Sequence, residues 1–244
     1  NSSPNYNANY ADTYGVDNTA NVDGVDILLP RISLDWHYSP QLTIRGGVGK
    51  FSGGSPLVWF SNAYTNDGVT KVSATANAVA STLADPASIT FDRVPLSLQN
   101  SLLQGDGSTN TIAEGFTMPS DWRYQLAADF SFKIPEVGDN FVWTAELLFV
   151  DRKDAVMWID QSRFAESKTV EGRTIWGNIY GADRRWDIQL TNNQTGGESK
   201  IFTSSLSNHW NNGFSFNASY THQDISETKP GNTSTAESSF FDEV

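Results

Sequence analysis

The stretch FSFNASYTHQD, Phe214 to Asp224, alternates by residue type. Phe214, Phe216, Ala218 and Tyr220 fall on one parity; Ser215, Asn217, Ser219, Thr221 and Gln223 fall on the other. Successive side chains of a strand point to opposite faces, so the pattern predicts a strand with one apolar and one wet side. The same period recurs upstream. Ile32, Leu34, Trp36 and Tyr38 oppose Ser33, Asp35 and His37; after a Ser39-Pro40 turn, Leu42, Ile44 and Val48 oppose Thr43 and Arg45. From Trp122 to Ile134, Tyr124, Leu126, Ala128, Phe130 and Phe132 alternate with Arg123, Gln125, Ala127, Asp129 and Ser131. A PEVGDN turn leads into a return from Phe141 to Arg152, in which Phe141, Trp143, Ala145, Leu147 and Phe149 oppose Thr144 and Glu146. Lys200 to Trp210 is joined to the first stretch by NNG. Gly46, Gly47 and Gly49 weaken their strand and predict curvature or close packing beside bulky neighbours.

Six strands are thus expected, at about 31 to 38, 41 to 51, 122 to 134, 141 to 152, 200 to 210 and 213 to 223. Between them lie two long polar segments, about 52 to 121 and 153 to 199, the first with a weak helical pattern at 73 to 83. Residues 1 to 30, rich in Asn, Asp and Tyr, read as loop. If the short WDIQL alternation belongs to the second long segment, every tight turn falls at one end of the sheet and both long segments at the other. That asymmetry predicts an all-β fold: an antiparallel transmembrane β-barrel segment with short periplasmic turns and long extracellular loops, part of one outer-membrane barrel domain spanning 1 to 244. The stripe from Phe214 to Tyr220 then faces lipid. The alternative is a secreted or cell-surface β-sandwich that binds carbohydrate, which would bury the same stripe between two sheets.

Composition narrows the partners. With 16 Lys and Arg against 28 Asp and Glu, the formal charge of -12 excludes a binder of nucleic-acid phosphates or of anionic headgroups. The chain has no cysteine, hence no disulfide framework and no thiolate site. No apolar run is long enough for a transmembrane helix, which leaves strand-crossing proteins untouched. NSSPNYNANYADTYG has neither a basic start nor an apolar core and is not expected to be a signal peptide.

Candidate chemistry is sparse. DNTANVDGVD, Asp17 to Asp26, has an acidic calcium-loop look, but Thr19 and Pro30 fill the positions where an EF-hand needs ligands, so an Asx-rich turn is expected. His37, His209 and His222 are scattered, and the acid pairs Asp151/Asp154 and Asp183/Asp187 read as solvated loop charges. No nucleophile motif or phosphate loop appears, so the expectation is a protein that is not an enzyme and takes no cofactor and no metal. Ligand contact is assigned to aromatics of the long segments: Trp59, Tyr64, Trp158, Trp176 and Tyr180.

PRISLDWHYSPQLTIRGGVGKFSGGSPLVWFSNAYTNDG, MPSDWRYQLAADFSF followed by TAELLFVDRKDAVMW, and LTNNQTGGESK with LSNHWNNGFSFNASYTHQD together resemble, in that order, the barrel of TonB-dependent receptors of the Oar-like type. The resemblance implies an outer-membrane receptor and transporter of Gram-negative bacteria that takes up an extracellular ligand. It further implies a plug and more barrel strands than this chain carries, an inner-membrane energising complex acting through the missing part, and contact with outer-membrane lipid.

Overall fold

In the computed structural model, residues 3–53, 57–70, 76–89, 92–99, 107–181, 186–193, 196–227, 235, 236 and 238 are described. In chain order they form α1 (Ala8–Tyr14), β1 (Arg31–His37), β2 (Leu42–Phe51), α2 (Leu57–Thr65), α3 (Ala76–Leu83), α4 (Leu96–Gln99), β3 (Asn110–Ile112), β4 (Ser120–Ile134), β5 (Gly138–Lys153), β6 (Ala155–Asp160), β7 (Arg163–Lys168), β8 (Thr174–Asn178), β9 (Ile188–Asn193), β10 (Gly197–His209) and β11 (Ser215–Glu227).

The six expected strands all form, and they make one antiparallel sheet in the order β1-β2-β4-β5-β10-β11. Local chemistry sets the hairpins. Ser39 Oγ accepts from the amides of Gln41 and Leu42 at 3.2 and 3.0 Å, an ST-type turn that reverses the chain between β1 and β2. Between β10 and β11, Gly213 sits at φ 88°, a left-handed conformation that favours glycine, and the Trp210 amide bonds the Phe214 carbonyl at 2.8 Å. The register carries the alternation across the sheet. Leu34, Gly46, Leu126, Leu147, Phe202 and His222 form one row on one face; Ser33, Gly47, Gln125 and Leu148 begin a row on the other.

The fold class is a correction. Among the described residues the fold is mixed α/β, with 14% helix and 51% strand, and the sheets are open. β1 and β11 end the large sheet without pairing to each other or to any further described strand. Alternation dictates which side of a strand is apolar, but it says nothing about strand number or closure, which are set by shear and tilt. An open sheet makes no closed wall with lipid outside and a plug inside. The expected transmembrane barrel, its outer-membrane location, and its lipid, plug and energising-complex partners are corrected with it. No described helix is long and apolar enough to cross a membrane. A two-sheet sandwich is not what the described strands form either: beside the six-stranded sheet they make one sheet of three strands and one of two.

The two long segments supply a second, packed unit. WDIQL leaves the large sheet, as expected, and becomes β9, which pairs parallel with β3 and antiparallel with β6. Phe60, Ala63, Ile112, Phe116, Trp158, Trp186, Ile188 and Leu190 form its core. Ile112, Ile188 and Leu190 are fully or almost fully buried, each stabilising by roughly 1.5–3 kcal/mol relative to exposure. The weak helical pattern at 73 to 83 is realised as α3, its first three positions lying outside the described residues. Residues 1 to 30 are not all loop: Asn7 caps α1 through its side chain and Gly15, at φ 71°, ends it.

Candidate functional site

The wet face of the large sheet is an organised polar surface. Arg45 reaches Asp129 Oδ2 through Nε at 3.0 Å and Nη2 at 2.9 Å, while Thr144 donates to Asp129 Oδ1 at 2.8 Å. Gln125 Nε2 donates to Glu146 Oε1 at 3.1 Å, and the Thr203 and Thr221 hydroxyls meet at 3.2 Å. Toward the end of the sheet opposite the tight turns, Asp121 takes Arg123 at 3.2 Å and Arg152 at 3.4 Å, and Arg152 also pairs with Glu227.

A cleft of about 420 Å³ opens on this face, with Arg31, Gly49, Phe51, Arg123, Gln125 and Glu146 in its wall. Two guanidinium carbons stand over the Phe51 ring, Arg31 at 4.3 Å and Arg123 at 5.0 Å from its centre. This places two cations on one ring, attracted by its quadrupole. Gly49 is what lets them in. A Cβ there would lie 2.8 Å from Arg31 Cγ and 3.0 Å from Phe51 Cε2.

The opposite face is largely apolar, with Lys200, His222 and Asp224 on its β10–β11 side, and many of its apolar side chains are exposed. Ile32 and Leu34 are each 71% exposed, Leu126 55% and Leu147 53%. Near the tight turns the aromatics pack on one another along and across the strands: Phe130 with Phe132 within β4, Phe132 with Phe141, and Phe141 with Trp210 and Phe216, at centroid distances of 5.5 to 6.3 Å. A shallow hollow of about 630 Å³ lies among Tyr124, Leu126, Phe149 and Phe202, with Lys200 and Asp224 also in its wall.

In the second unit, a polar network is buried. Asp187 is fully buried; its Oδ1 accepts from the Thr109 amide at 2.9 Å, and its Oδ2 from the Tyr14 and Tyr180 hydroxyls at 2.9 and 2.7 Å. Burial, with the Asp187 carboxylate adding to it, pushes the Tyr180 phenol up to about 12; burial, then the Tyr180 hydroxyl and Asp187, pushes Tyr14 further. Tyr10 bonds Thr111 at 3.3 Å and also Gln161. Asp160 is raised by burial despite Ser162 and Arg163 beside it.

The five aromatics assigned to ligand contact are spread over this unit. Trp158 is 7% exposed in the core, with Trp59 packed on it at 6.1 Å; Tyr64 packs against the same core, and Tyr180 belongs to the Asp187 network. Trp176, on the β7–β8 hairpin, is 57% exposed. The structure brings Trp59, Tyr64 and Trp158 together around one core and leaves Trp176 apart from them. At Asp17 to Asp26 the turn reading is what forms: Asp17 accepts from the Thr19 amide and hydroxyl at 2.8 and 2.7 Å, and Asn21 from the Asp23 amide at 2.8 Å. Among the described residues no group of three or more His, Asp or Glu is placed to hold a metal. Asp151 pairs with Lys153 at 3.0 Å, and Asp183 lies outside the described residues. Asp187 is a correction, since its carboxylate is buried instead of solvated. Sequence reasoning also missed the arginine pair over Phe51, whose only trace is the placement of Arg31, Gly49, Phe51 and Arg123 on one strand parity once register is known.

No family model matches the chain, and no curated protein is similar to it. The resemblance to TonB-dependent receptors is therefore corrected: it rested on short patterned pieces, and neither a shared family nor a closed barrel supports it. Energy-coupled uptake across an outer membrane falls with it, and so does the carbohydrate-binding sandwich.

Proposed function

We propose that this chain is a non-enzymatic β-scaffold that works inside a larger β-assembly, contributing a six-stranded sheet whose polar face stays in water. The exposed apolar face carries the reading. It extends from Ile32 and Leu34 across β4 and β5 to Phe202 and Tyr220, with Lys200, His222 and Asp224 the polar positions at its β10–β11 side, where a sheet of this width ordinarily buries one side. Contiguous apolar surface beyond a few hundred Å² marks an interaction site. The edges support the same reading. β11 leaves one backbone edge unpaired along Ser215–Glu227, with no proline and no covering element among the described residues, the form of edge that takes up another strand. The partner that fits is an extended, antiparallel strand: apolar side chains continue the apolar face, small polar ones continue the wet face, and a basic residue stands opposite Asp224. Non-enzymatic action is supported by how the buried carboxylates are used, Asp187 on Thr109, Tyr14 and Tyr180, and Asp160 on Ser162 and Arg163.

Sedimentation velocity over a concentration series, combined with hydrogen exchange of the β11 amides, tests this. The wild-type chain is expected to associate and to protect those amides as it does so. Tyr220→Lys places a charge on the apolar side of the edge strand, at a side chain 63% exposed and so without cost to the fold, and is expected to remain monomeric. A wild-type chain that is monomeric at every concentration with freely exchanging β11 amides overturns the proposal.

A further inference from the structure

The geometry points to a binding site for a small oxyanion-bearing molecule in the polar-face cleft, its carboxylate or phosphate held by Arg31 and Arg123. This goes beyond the scaffold reading and does not depend on it. Three guanidinium groups, Arg31, Arg123 and Arg152, gather at this end of the face. The acids that pair with them are Asp121, shared by Arg123 and Arg152, and Glu227, taken by Arg152. Arg31 has no acidic partner within ion-pair distance among the described residues. The cleft's other carboxylate, Glu146, is hydrogen-bonded to Gln125 instead of to Arg31, so the surroundings are balanced in charge overall while the Arg31 guanidinium itself is left without an acidic partner.

That charge is held in place. The Arg31 stem lies against Gly49, and its guanidinium stacks on Phe51, so the planar fork is oriented before a ligand arrives and less side-chain entropy is lost on binding. The Gly47 and Gly49 floor leaves the space above open, and about 420 Å³ falls in the range of small-molecule sites. Guanidinium forks match carboxylate and phosphate oxygens in two-point hydrogen bonds. Farther along the cleft, Gln125 and Glu146 present a carboxamide and a carboxylate joined at 3.1 Å, which suit hydroxyl or amino groups on the body of the ligand. The site therefore reads an anionic head and a hydrogen-bonding body.

Isothermal titration calorimetry of the full chain with inorganic phosphate and, separately, with citrate tests the site. Saturable heat is expected with at least one of them. Arg31→Gln should weaken binding by at least about tenfold, the loss of one charge-assisted contact. Gly49→Val, which pushes the Arg31 stem off Phe51, should weaken it similarly. Arg45→Gln, whose guanidinium is already taken by Asp129 outside the cleft, should leave it unchanged. Arg31 is an exposed edge-strand residue, so a thermal midpoint equal to wild type shows that its variant is folded. Absence of saturable heat with both probes, or binding that Arg31→Gln leaves intact, overturns the assignment.

Discussion

Asp187→Asn is the most direct probe of the second unit. Oδ1 keeps its place in the variant and still accepts from the Thr109 amide, but an NH₂ group replaces the Oδ2 that takes hydrogens from Tyr14 and Tyr180. Two hydrogen bonds to a charged acceptor are lost, each worth about 1.5–3 kcal/mol. The phenol oxygens can turn to accept from the new NH₂, recovering about 1 kcal/mol apiece, and the cost of burying a charge disappears. The net loss is about 2 kcal/mol, which for a chain of this size lowers the melting temperature by about 4–8 °C. A double-mutant cycle isolates the contact: Tyr14→Phe should cost about 1 kcal/mol more in the wild-type background than in the Asp187→Asn background. Ultraviolet titration gives an independent readout. Burial still raises the two phenols in the variant, but without the neighbouring negative charge both ionise at lower pH than in the wild type. An unchanged melting temperature together with an unchanged tyrosine titration would refute the reasoning.

Other perturbations separate the two parts of the molecule. Leu190→Ala, at a fully buried site in the core that also holds Ile112 and Trp158, should cost about 3 kcal/mol in urea unfolding; a loss below about 1 kcal/mol would contradict its place in the core. Arg45→Ala should cost less than about 1 kcal/mol by the same measurement, because the pair with Asp129 is partly solvated on both sides and screened by water. Stability should fall at alkaline pH: the fold favours the neutral phenol of Tyr180, so this contribution is complete below pH 10.0 and lost as pH rises through about 12, and a melting temperature flat over that window would contradict it. At the acid end, burial alone would raise Asp67, but hydrogen bonds from Thr70, Asn5 and Val69 hold it below 3.8. Its contribution is present above that pH and lost as pH falls below the depressed folded value, which acid melts of Asp67→Asn against wild type would show as a smaller acid-side loss in the variant.

What was legible in the chain is what local physics dictates. Period-two alternation placed six strands within a few residues, and Ser39-Pro40, PEVGDN and NNG placed their turns, because side-chain direction and turn geometry depend only on near neighbours. Closure was not legible, since the same alternation serves an open sheet, a barrel or a sandwich. Nor was the parallel pairing of β3 with β9, whose residues lie far apart in the chain, and whose apolar runs are too short to carry a period. Aromatic content within the long segments signalled packing without saying of what. Trp158 and Trp176 both belong to the second long segment, yet one lies in the core and the other stands at the surface. Asp187 gave no sign of burial because the partners that make burial tolerable, Tyr14, Thr109 and Tyr180, come from three separate parts of the chain.

The two parts of the molecule are stabilised by different means, and the difference explains where its interaction surfaces lie. The second unit buries Ile112, Ile188 and Leu190 and turns its polar groups on one another, so its core is already out of water. The large sheet has no such core. It is held by its ladders, by aromatic contacts along the turn end, and by exposed ion pairs worth little individually. Hydrophobic stabilisation comes from area removed from water, and Ile32, Leu34, Leu126 and Leu147 each still leave more than half of their surface in water. Whatever covers that face therefore adds a term the sheet lacks, smaller per side chain than the burial of Leu190 because these side chains are already partly out of water. Edges at β1 and β11 that no described strand pairs with give the covering partner a backbone template, while the polar face, most of its charges paired and Arg31 left over beside Phe51, keeps its cleft on the other side. A single sheet can in this way bind a macromolecular partner and a small ligand without competition, because the pleat sends the residues for each to opposite faces.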